Sequence, residues 1–350
     1  MVHKEKINDR SKIKAKNQLI RLDKPHVLNT LEEIESFSRS SDKFQIHYEF
    51  FKNFNSESTR KAYYQDLKHF FAFFKIAFKK TIRHPRQVKR FHVVAYKEFL
   101  SKAGTIEGTG CAPKTIGRRL GCLNSYFKFL MEKSLIEINP VEGIKRPRQE
   151  VVQETNFLTD DQVKALLNSL STDTLQNSLY RAVLFILFGT GIRVSELVNI
   201  RFQDYFKKGT YKVLKIFAKG GKIRLIPIKH EVAMAIEDYI KKYKSEGHRW
   251  HREDYLIRPT RNNATQITNK GLNRSTVYRI IKKCCENIGI FDRVSPHTAR
   301  ATLITSLLAK NIDLYKVSLS VGHENPKTTK NYDKRRRALQ ESALFDVDYF

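Results

Sequence analysis

Gly189-Thr-Gly-Ile-Arg-Val-Ser-Glu-Leu197 is a turn-rich segment that closes a dense apolar stretch, residues 180–189. That stretch has the length and composition of a helix at the centre of a core. The glycines behind it predict a turn at the exit of the buried helix. Arg193 therefore stands where the helix ends, and the segment predicts a largely helical domain with a cation at a helix terminus.

A hairpin is predicted next along the chain. Residues 211–217 and 223–228 are rich in Val, Ile and Leu and flank Lys219-Gly-Gly-Lys222. Two such runs around a glycine turn are typical of paired antiparallel strands. Either Lys219 or Lys222 can present its ammonium group from this turn.

A third region brings more proton donors and cations. Ser295-Pro-His-Thr-Ala-Arg300 is followed by the segment Gly322-His-Glu-Asn-Pro-Lys-Thr-Thr-Lys-Asn-Tyr332. These segments contribute His297, Arg300, His323 and Tyr332. Each residue alone has a structural explanation, such as an ion pair, a helix cap or one of 15 tyrosines. Only the combination points to chemistry.

The combination suits attack on a phosphodiester. Guanidinium groups donate paired hydrogen bonds to non-bridging phosphate oxygens, which fits Arg193 and Arg300. The leaving 5'-oxygen needs a proton, which Lys219 is placed to give. A tyrosine with an ordinary pKa of about 10 needs cations or a base before it becomes nucleophilic. His297 is the candidate base for Tyr332.

Composition indicates a nucleic-acid partner. The 350-residue chain carries a formal net charge of +29, from 65 Lys and Arg against 36 Asp and Glu. A polyanion is the expected neutralising partner. No apolar run is long enough for a membrane span, and the first residues lack a secretory signal. The four cysteines form no C-x-x-C pair. We therefore expect a cytoplasmic protein without a membrane partner.

Cofactors are not expected. The only Gly-Lys pair, Gly221-Lys222, lacks the surrounding residues of a phosphate-binding loop, so no nucleotide is predicted. No His-Glu-x-x-His motif or cluster of carboxylates indicates a catalytic metal. Transesterification through a tyrosine requires neither, since the energy of the phosphodiester bond is kept in the phosphotyrosine.

The chain divides into five predicted parts. Residues 1–40 form a basic arm, either a solvated leader or a DNA-tracking segment, and residues 41–138 a helical DNA-binding domain. Residues 139–156 contain two prolines and many charges, a composition that predicts a linker. A catalytic domain follows at 157–338 and a tail at 339–350. In the helical domain Lys114, Arg118 and Arg119 lie off the apolar stripe and are candidates for contacts with phosphates.

These segments resemble the tyrosine recombinase (phage-type integrase) family, and more closely its Xer-like branch. Residues 190–197 resemble the box of the first arginine, residues 297–300 the H-x-x-R box, and Gly322-His323 with Tyr332 the closing box. The strong match covers residues 155–335. One departure is Ala301-Thr302, where many relatives have His-Thr or His-Ser; it concerns packing more than the pocket.

The resemblance implies a fold and a set of roles. The fold is mainly α, with a helical core-binding domain and an α-rich catalytic domain that contains a small antiparallel sheet. It makes Tyr332 the nucleophile that forms a 3'-phosphotyrosine. It also implies a homo-tetramer on two synapsed copies of a specific double-stranded site. The implied pocket consists of Arg193, Lys219, His297, Arg300 and His323, with Glu196 orienting Arg193 or its neighbours.

Two other functions share parts of this pattern. A type IB topoisomerase uses the same nucleophile and arginines but relaxes DNA as a monomer without a specific site. A non-catalytic DNA-binding relative would keep only the fold. The sequence does not separate chromosome resolution, phage integration and element mobility, although the basic arm favours a mobile element. The apolar tail is expected to dock either on a neighbouring protomer or within its own chain.

Overall fold

The computed structural model describes residues 49–79, 85–105, 108–148, 156–218, 221–261, 266–267, 270–323, 325–330 and 332–333. The predicted arm at 1–40, the tail at 339–350 and Lys219 lie outside the described residues. The chain divides into an amino-terminal unit, residues 1–152, and a carboxy-terminal unit, residues 153–350.

The described part of the amino-terminal unit is helical. Its main helices are α1 (Glu57–Phe78), α2 (Arg90–Ala103) and α3 (Pro113–Glu132), with a short 3-10 turn at Pro85–Gln87. Ser56 caps α1, because the Ser56 hydroxyl accepts a hydrogen bond from the backbone N–H of Thr59. Pro113 opens α3, where its missing N–H costs nothing.

Aromatic side chains fill the core of this unit. Phe70 and Tyr96 are fully buried, and their ring centroids lie 5.1 Å apart in an edge-to-face arrangement. The burial of these rings assigns them to the core rather than to a base-stacking surface. Val141 and Ile144, at the start of the predicted linker, pack against the same core. The first residues of that segment are therefore attached to the amino-terminal unit by apolar contacts.

Helices also dominate the carboxy-terminal unit. They are α4 (Asp160–Asn168), α5 (Leu175–Thr190), α6 (Val194–Leu197), α7 (His230–Ser245), α8 (Arg274–Glu286), α9 (Pro296–Ala309), α10 (Leu314–Val321) and α11 (Pro326–Lys330). Ten residues of α5 are buried, which confirms the predicted central helix. Thr159 caps α4, with Gln162 completing a reciprocal capping box.

A small antiparallel sheet completes this unit. Its strands are β1 (Tyr205–Lys208), β2 (Tyr211–Phe217) and β3 (Ile223–Pro227), in the order β1-β2-β3. The register pairs Ile216 with Arg224, which confirms the predicted hairpin. A two-stranded ribbon, β4 (Thr260–Arg261) with β5 (Gln266–Ile267), was not predicted. The mainly α fold class with a small sheet is confirmed. No helix in the described part of the chain has the length and apolarity needed to cross a bilayer.

Candidate active site

The turn after α5 places Arg193. Gly191 ends α5 in the left-handed conformation, with φ of +62°, and its backbone N–H donates to the Leu187 carbonyl. Arg193 is then the N-cap of α6, and Glu196 reaches back to it. The Glu196 carboxylate accepts from the Arg193 backbone N–H at 2.8 Å and from Nη1 at 3.0 Å. This short turn holds the guanidinium at the helix start, where Glu196 is hydrogen bonded to both the backbone and the side chain of Arg193.

Arg300 lies on the first turns of α9. Ser295 caps that helix and Pro296 occupies its first position, so the chain enters the helix at a fixed angle. The Arg300 side chain is almost completely buried, and its Nη1 donates to the Gly191 carbonyl at 2.6 Å. Its buried Nη2 has no hydrogen-bond partner among the described residues. Burial, with Arg193 nearby, lowers the pKa of Arg300 to about 10, which still leaves it cationic at pH 7.

His323 follows the end of α10. Gly322 ends that helix with φ of +70°, and the His323 backbone N–H donates to the Ser318 carbonyl at 2.9 Å. The imidazole Nδ1 lies 2.7 Å from the hydroxyl oxygen of the buried Thr329. Burial and the neighbouring Arg300 and Arg193 lower the pKa of His323 to about 4. The ring is therefore neutral near pH 7.

Tyr332 is 9% exposed, and its side chain contacts two histidines. Its hydroxyl lies 3.1 Å from Nε2 of His297, and its ring stacks on that of His323 with centroids 6.1 Å apart. Burial raises the pKa of Tyr332, while Arg300 and Arg193 act to lower it. The tyrosine thus needs a base to lose its proton, and His297 is in hydrogen-bonding position to accept it.

Five of the predicted site residues share one cleft of about 520 Å³. They are Arg193, His297, Arg300, His323 and Tyr332. Glu196 lies behind Arg193 and is buried. Lys219 is outside the described residues, so its proposed contribution stays a prediction. At the departure Ala301-Thr302, Ala301 is buried in the apolar cluster that also includes Tyr332. The Thr302 hydroxyl accepts from the Leu158 backbone N–H at 3.0 Å.

Arg224 also belongs to the framework of the site, although the sequence did not predict it. This residue lies on β3, and its guanidinium donates to Glu196 at 2.9 Å and to the Val321 carbonyl at 2.5 Å. Its partners are distant in the sequence, so no local motif marks it. One signal was available, since Arg224 shares a strand face with Ile226. A charged residue on the inward face of a strand usually has a buried partner.

The predicted DNA-contacting residues of the amino-terminal unit differ in exposure. Lys114 is exposed on α3. Arg118 is 47% exposed and pairs with the buried Asp66. Arg119 is only 11% exposed, and its Nη1 lies 3.0 Å from Nε2 of His69. The geometry favours Lys114 and Arg118 for phosphate contacts and gives Arg119 a packing role, while all three contacts with DNA stay predictions.

Metal ligands do not cluster in the described part of the chain. There, no three His, Cys, Asp or Glu side chains are placed to share an ion. Cys122, Cys284 and Cys285 are buried free thiols. Among the described residues, the ionisable groups that line the cleft are two guanidiniums, two imidazoles and a phenol.

Comparison with known proteins identifies both halves of the chain. Residues 156–338 match the phage integrase family, and residues 46–134 match the SAM-like amino-terminal domain of phage integrases. A tyrosine recombinase of Pseudothermotoga lettingae is 32% identical over 79% of this chain and 87% of its own. The tyrosine recombinase XerD of Listeria innocua is 28% identical over 82% of this chain and 91% of its own.

Solved structures give the same fold. The XerH site-specific recombinase in a post-cleavage complex superposes with a TM-score of 0.60 at 14% identity, covering 81% of this chain and 78% of that one. A lambda integrase dimer bound to a core site gives a TM-score of 0.59 at 16% identity, covering 91% of this chain and 85% of that one. The cleft, the family matches and these folds agree, and the chain belongs to the phage integrase family as an Xer-like, site-specific tyrosine recombinase, an enzyme that cleaves and rejoins DNA.

Proposed function

We propose that this recombinase cleaves double-stranded DNA at a specific site through Tyr332 and works as a homo-tetramer on two synapsed sites. The observation that carries the proposal is the hydrogen bond of 3.1 Å between the Tyr332 hydroxyl and His297 Nε2, within a cleft that also contains Arg193 and Arg300. A nucleophile, a base and two phosphate-binding cations are thus in one place.

The proposed cleavage step follows from these positions. The Tyr332 oxygen attacks phosphorus while its proton moves to His297. Arg193 and Nη2 of Arg300, which has no hydrogen-bond partner among the described residues, donate to the non-bridging oxygens as negative charge develops there. The bond from phosphorus to the 5'-oxygen breaks, and that oxygen takes a proton from Lys219. A 3'-phosphotyrosine and a free 5'-hydroxyl result, and rejoining is the reverse reaction.

His323 is proposed as a third donor to the phosphate. Its low pKa keeps it neutral, and the hydroxyl of Thr329 can donate to Nδ1. With Nδ1 accepting, the ring proton lies on Nε2. A neutral imidazole of this tautomer donates one hydrogen bond to a phosphate oxygen without competing for the tyrosine proton.

The tetramer requires contacts between protomers, and we propose that the tail supplies one. A groove of about 700 Å³ on the carboxy-terminal unit is lined in part by Leu225, Leu303, Leu307 and Leu319. The tail carries Leu344, Phe345, Val347, Tyr349 and Phe350, which match this lining in polarity. Exchange of tails between protomers would bury both surfaces. Truncation before Ser342 should then weaken assembly on DNA while leaving the monomer folded.

A covalent trapping experiment tests the proposed chemistry. The substrate is a nicked duplex that carries a site selected by the protein from a random-sequence library. A protein–DNA adduct that survives denaturant is expected. Tyr332→Phe should abolish the adduct and leave DNA binding intact, while Tyr315→Phe, on an exposed residue, is the matched control. An adduct that persists in Tyr332→Phe would assign the nucleophile to another residue. Relaxation of plasmids that lack the site would instead favour topoisomerase activity.

A further inference from the structure

Arg224 contacts three parts of the active-site framework at once. Its backbone belongs to β3, its Nη2 donates to Glu196 Oε2 at 2.9 Å, and its Nη1 donates to the Val321 carbonyl at 2.5 Å. Gly322, the next residue, has no side chain to obstruct the guanidinium: a Cβ there would lie 1.4 Å from Nη1 of Arg224. The backbone before His323 is therefore shaped around this arginine.

Arg193 and Arg224 make parallel sets of contacts. Each guanidinium donates to the Glu196 carboxylate. Each also donates to a backbone carbonyl: Arg224 to that of Val321, and Arg193, through Nη2, to that of the next residue, Gly322, at 3.2 Å. Their exposure differs, since the Arg193 side chain is 43% exposed and that of Arg224 is 17% exposed. Arg193 lines the cleft, whereas Arg224 is not among the described residues that line it.

The charges suggest why two arginines share one carboxylate. The Glu196 side chain is 5% exposed, so its negative charge needs a partner within the protein. If Arg193 were the only partner, the pair would be neutral and Arg193 would be held away from a phosphate. Arg224 supplies a second cation at Glu196 and leaves one net positive charge on the group, on the side of the exposed Arg193.

We propose that Arg224 is a positioning residue for cleavage. It balances the negative charge of Glu196 on the side away from the cleft. Arg193 thereby stays oriented toward a non-bridging oxygen of the scissile phosphate, and the group of three residues keeps a net positive charge. The proposal rests on the proposed cleavage by Tyr332. Arg224 itself touches no reacting atom. Its effect passes through Glu196, a carboxylate that hydrogen bonds both the backbone and the side chain of Arg193.

Charge neutralisation of the substrate provides the test. Adduct formation is measured in a single turnover on the nicked duplex, once with the natural phosphodiester and once with a methylphosphonate, which carries no negative charge at the scissile position. Arg224→Gln should slow cleavage of the phosphodiester by about 100-fold with little change in DNA binding. On the methylphosphonate, the difference in cleavage rate between wild type and Arg224→Gln should be at least about tenfold smaller. Arg193→Gln should show the same reduction.

Two further variants keep the test decisive. Arg224→Lys retains a cation that cannot bridge Glu196 and the Val321 carbonyl, and it should give the same pattern with a smaller defect. This variant carries the test if Arg224→Gln does not fold. Arg181→Gln removes a comparably buried arginine of helix α5, which pairs with Asp238 of helix α7 at 2.6 Å. This control should show no difference between the two substrates.

Several results would overturn the proposal. An unchanged cleavage rate, or an equal defect on both substrates, would mean that Arg224 does not act through Arg193. A substrate with sulphur in place of the 5'-bridging oxygen has a leaving group that needs no proton. If this substrate, and not the methylphosphonate, restored cleavage by Arg224→Gln, Arg224 would serve the proton donor instead. Additive losses for Arg224→Lys and Glu196→Gln in a double-mutant cycle would contradict action through Glu196. Absence of any adduct with the wild-type protein would instead refute the proposed function.

Discussion

The hydroxyl of Tyr332 lies 3.1 Å from Nε2 of His297, and the phenol is 9% exposed. Burial raises the pKa of Tyr332, although Arg300 and Arg193 oppose that effect. The phenol is consequently protonated at neutral pH in the free enzyme. The hydrogen bond to His297 provides the route by which this proton can leave during attack.

His297→Ala should therefore slow adduct formation by about 100-fold or more at pH 7, a typical contribution of general base catalysis. Without the base, attack depends on the small tyrosinate fraction, which grows tenfold per pH unit below the phenol pKa. The variant's rate should keep rising from pH 7 to 10, whereas the wild-type rate should level off. The measurement is a pH–rate profile of single-turnover cleavage. Parallel profiles for the two proteins would exclude His297 as the proton acceptor.

Arg118 and Arg119 are neighbours in sequence, and replacing each should have different consequences. Arg118→Gln, at a 47% exposed side chain, should weaken DNA binding and reduce its salt slope by roughly one if it contacts one phosphate. Arg119→Gln removes a group that is 11% exposed and hydrogen bonded to His69, and should lower the free energy of unfolding by roughly 1–3 kcal/mol. Salt titrations of DNA binding and denaturant unfolding of both variants separate the two roles. Identical effects would contradict the assignment.

Two buried histidines predict how stability depends on pH. Burial is the main cause that lowers the pKa of His323 to about 4 and that of His69 to about 3. The unfolded chain binds a proton at each near pH 6.5, while the folded protein does not. Stability should be fully present above pH 6.5 and fall as the pH drops toward 4. Asn substitution at either site should flatten the pH dependence of the unfolding temperature, and His230→Asn, at an exposed position, is the control.

Most of the fold was predictable because its signals are local. The apolar run of α5, the cap at Thr159 and the glycine turn between β2 and β3 each lie within a few consecutive residues. Strand β1 was not predicted, since Tyr205–Lys208 is only four residues long. Ribbon β4–β5 has two residues in each strand, too few for an alternating pattern.

The site was predictable where residue type and spacing carry the chemistry, and it was missed where only packing does. Arg193, Arg300 and Tyr332 stand in recognisable segments. Arg224 has partners 28 and 97 positions away in the sequence, and no motif in one sequence reports such contacts. The difference between the buried Arg119 and the exposed Arg118 likewise depends on how α3 packs on α1, which periodicity alone does not resolve.

Gly322→Ala should be more damaging than replacement of an ordinary left-handed glycine. Its φ of +70° already disfavours a side chain by roughly 1–2 kcal/mol, and the new Cβ would lie 1.4 Å from Nη1 of Arg224. Gly289 is a matched control, because its φ is +77° and a Cβ there meets no atom within 4 Å. Both variants should lose stability through backbone strain. Only Gly322→Ala must also displace Arg224 and the peptide before His323, so it alone should lose cleavage activity. Unfolding curves and adduct yields measured on both variants provide the comparison, and equal activity in the two would show that the Arg224 contact is dispensable.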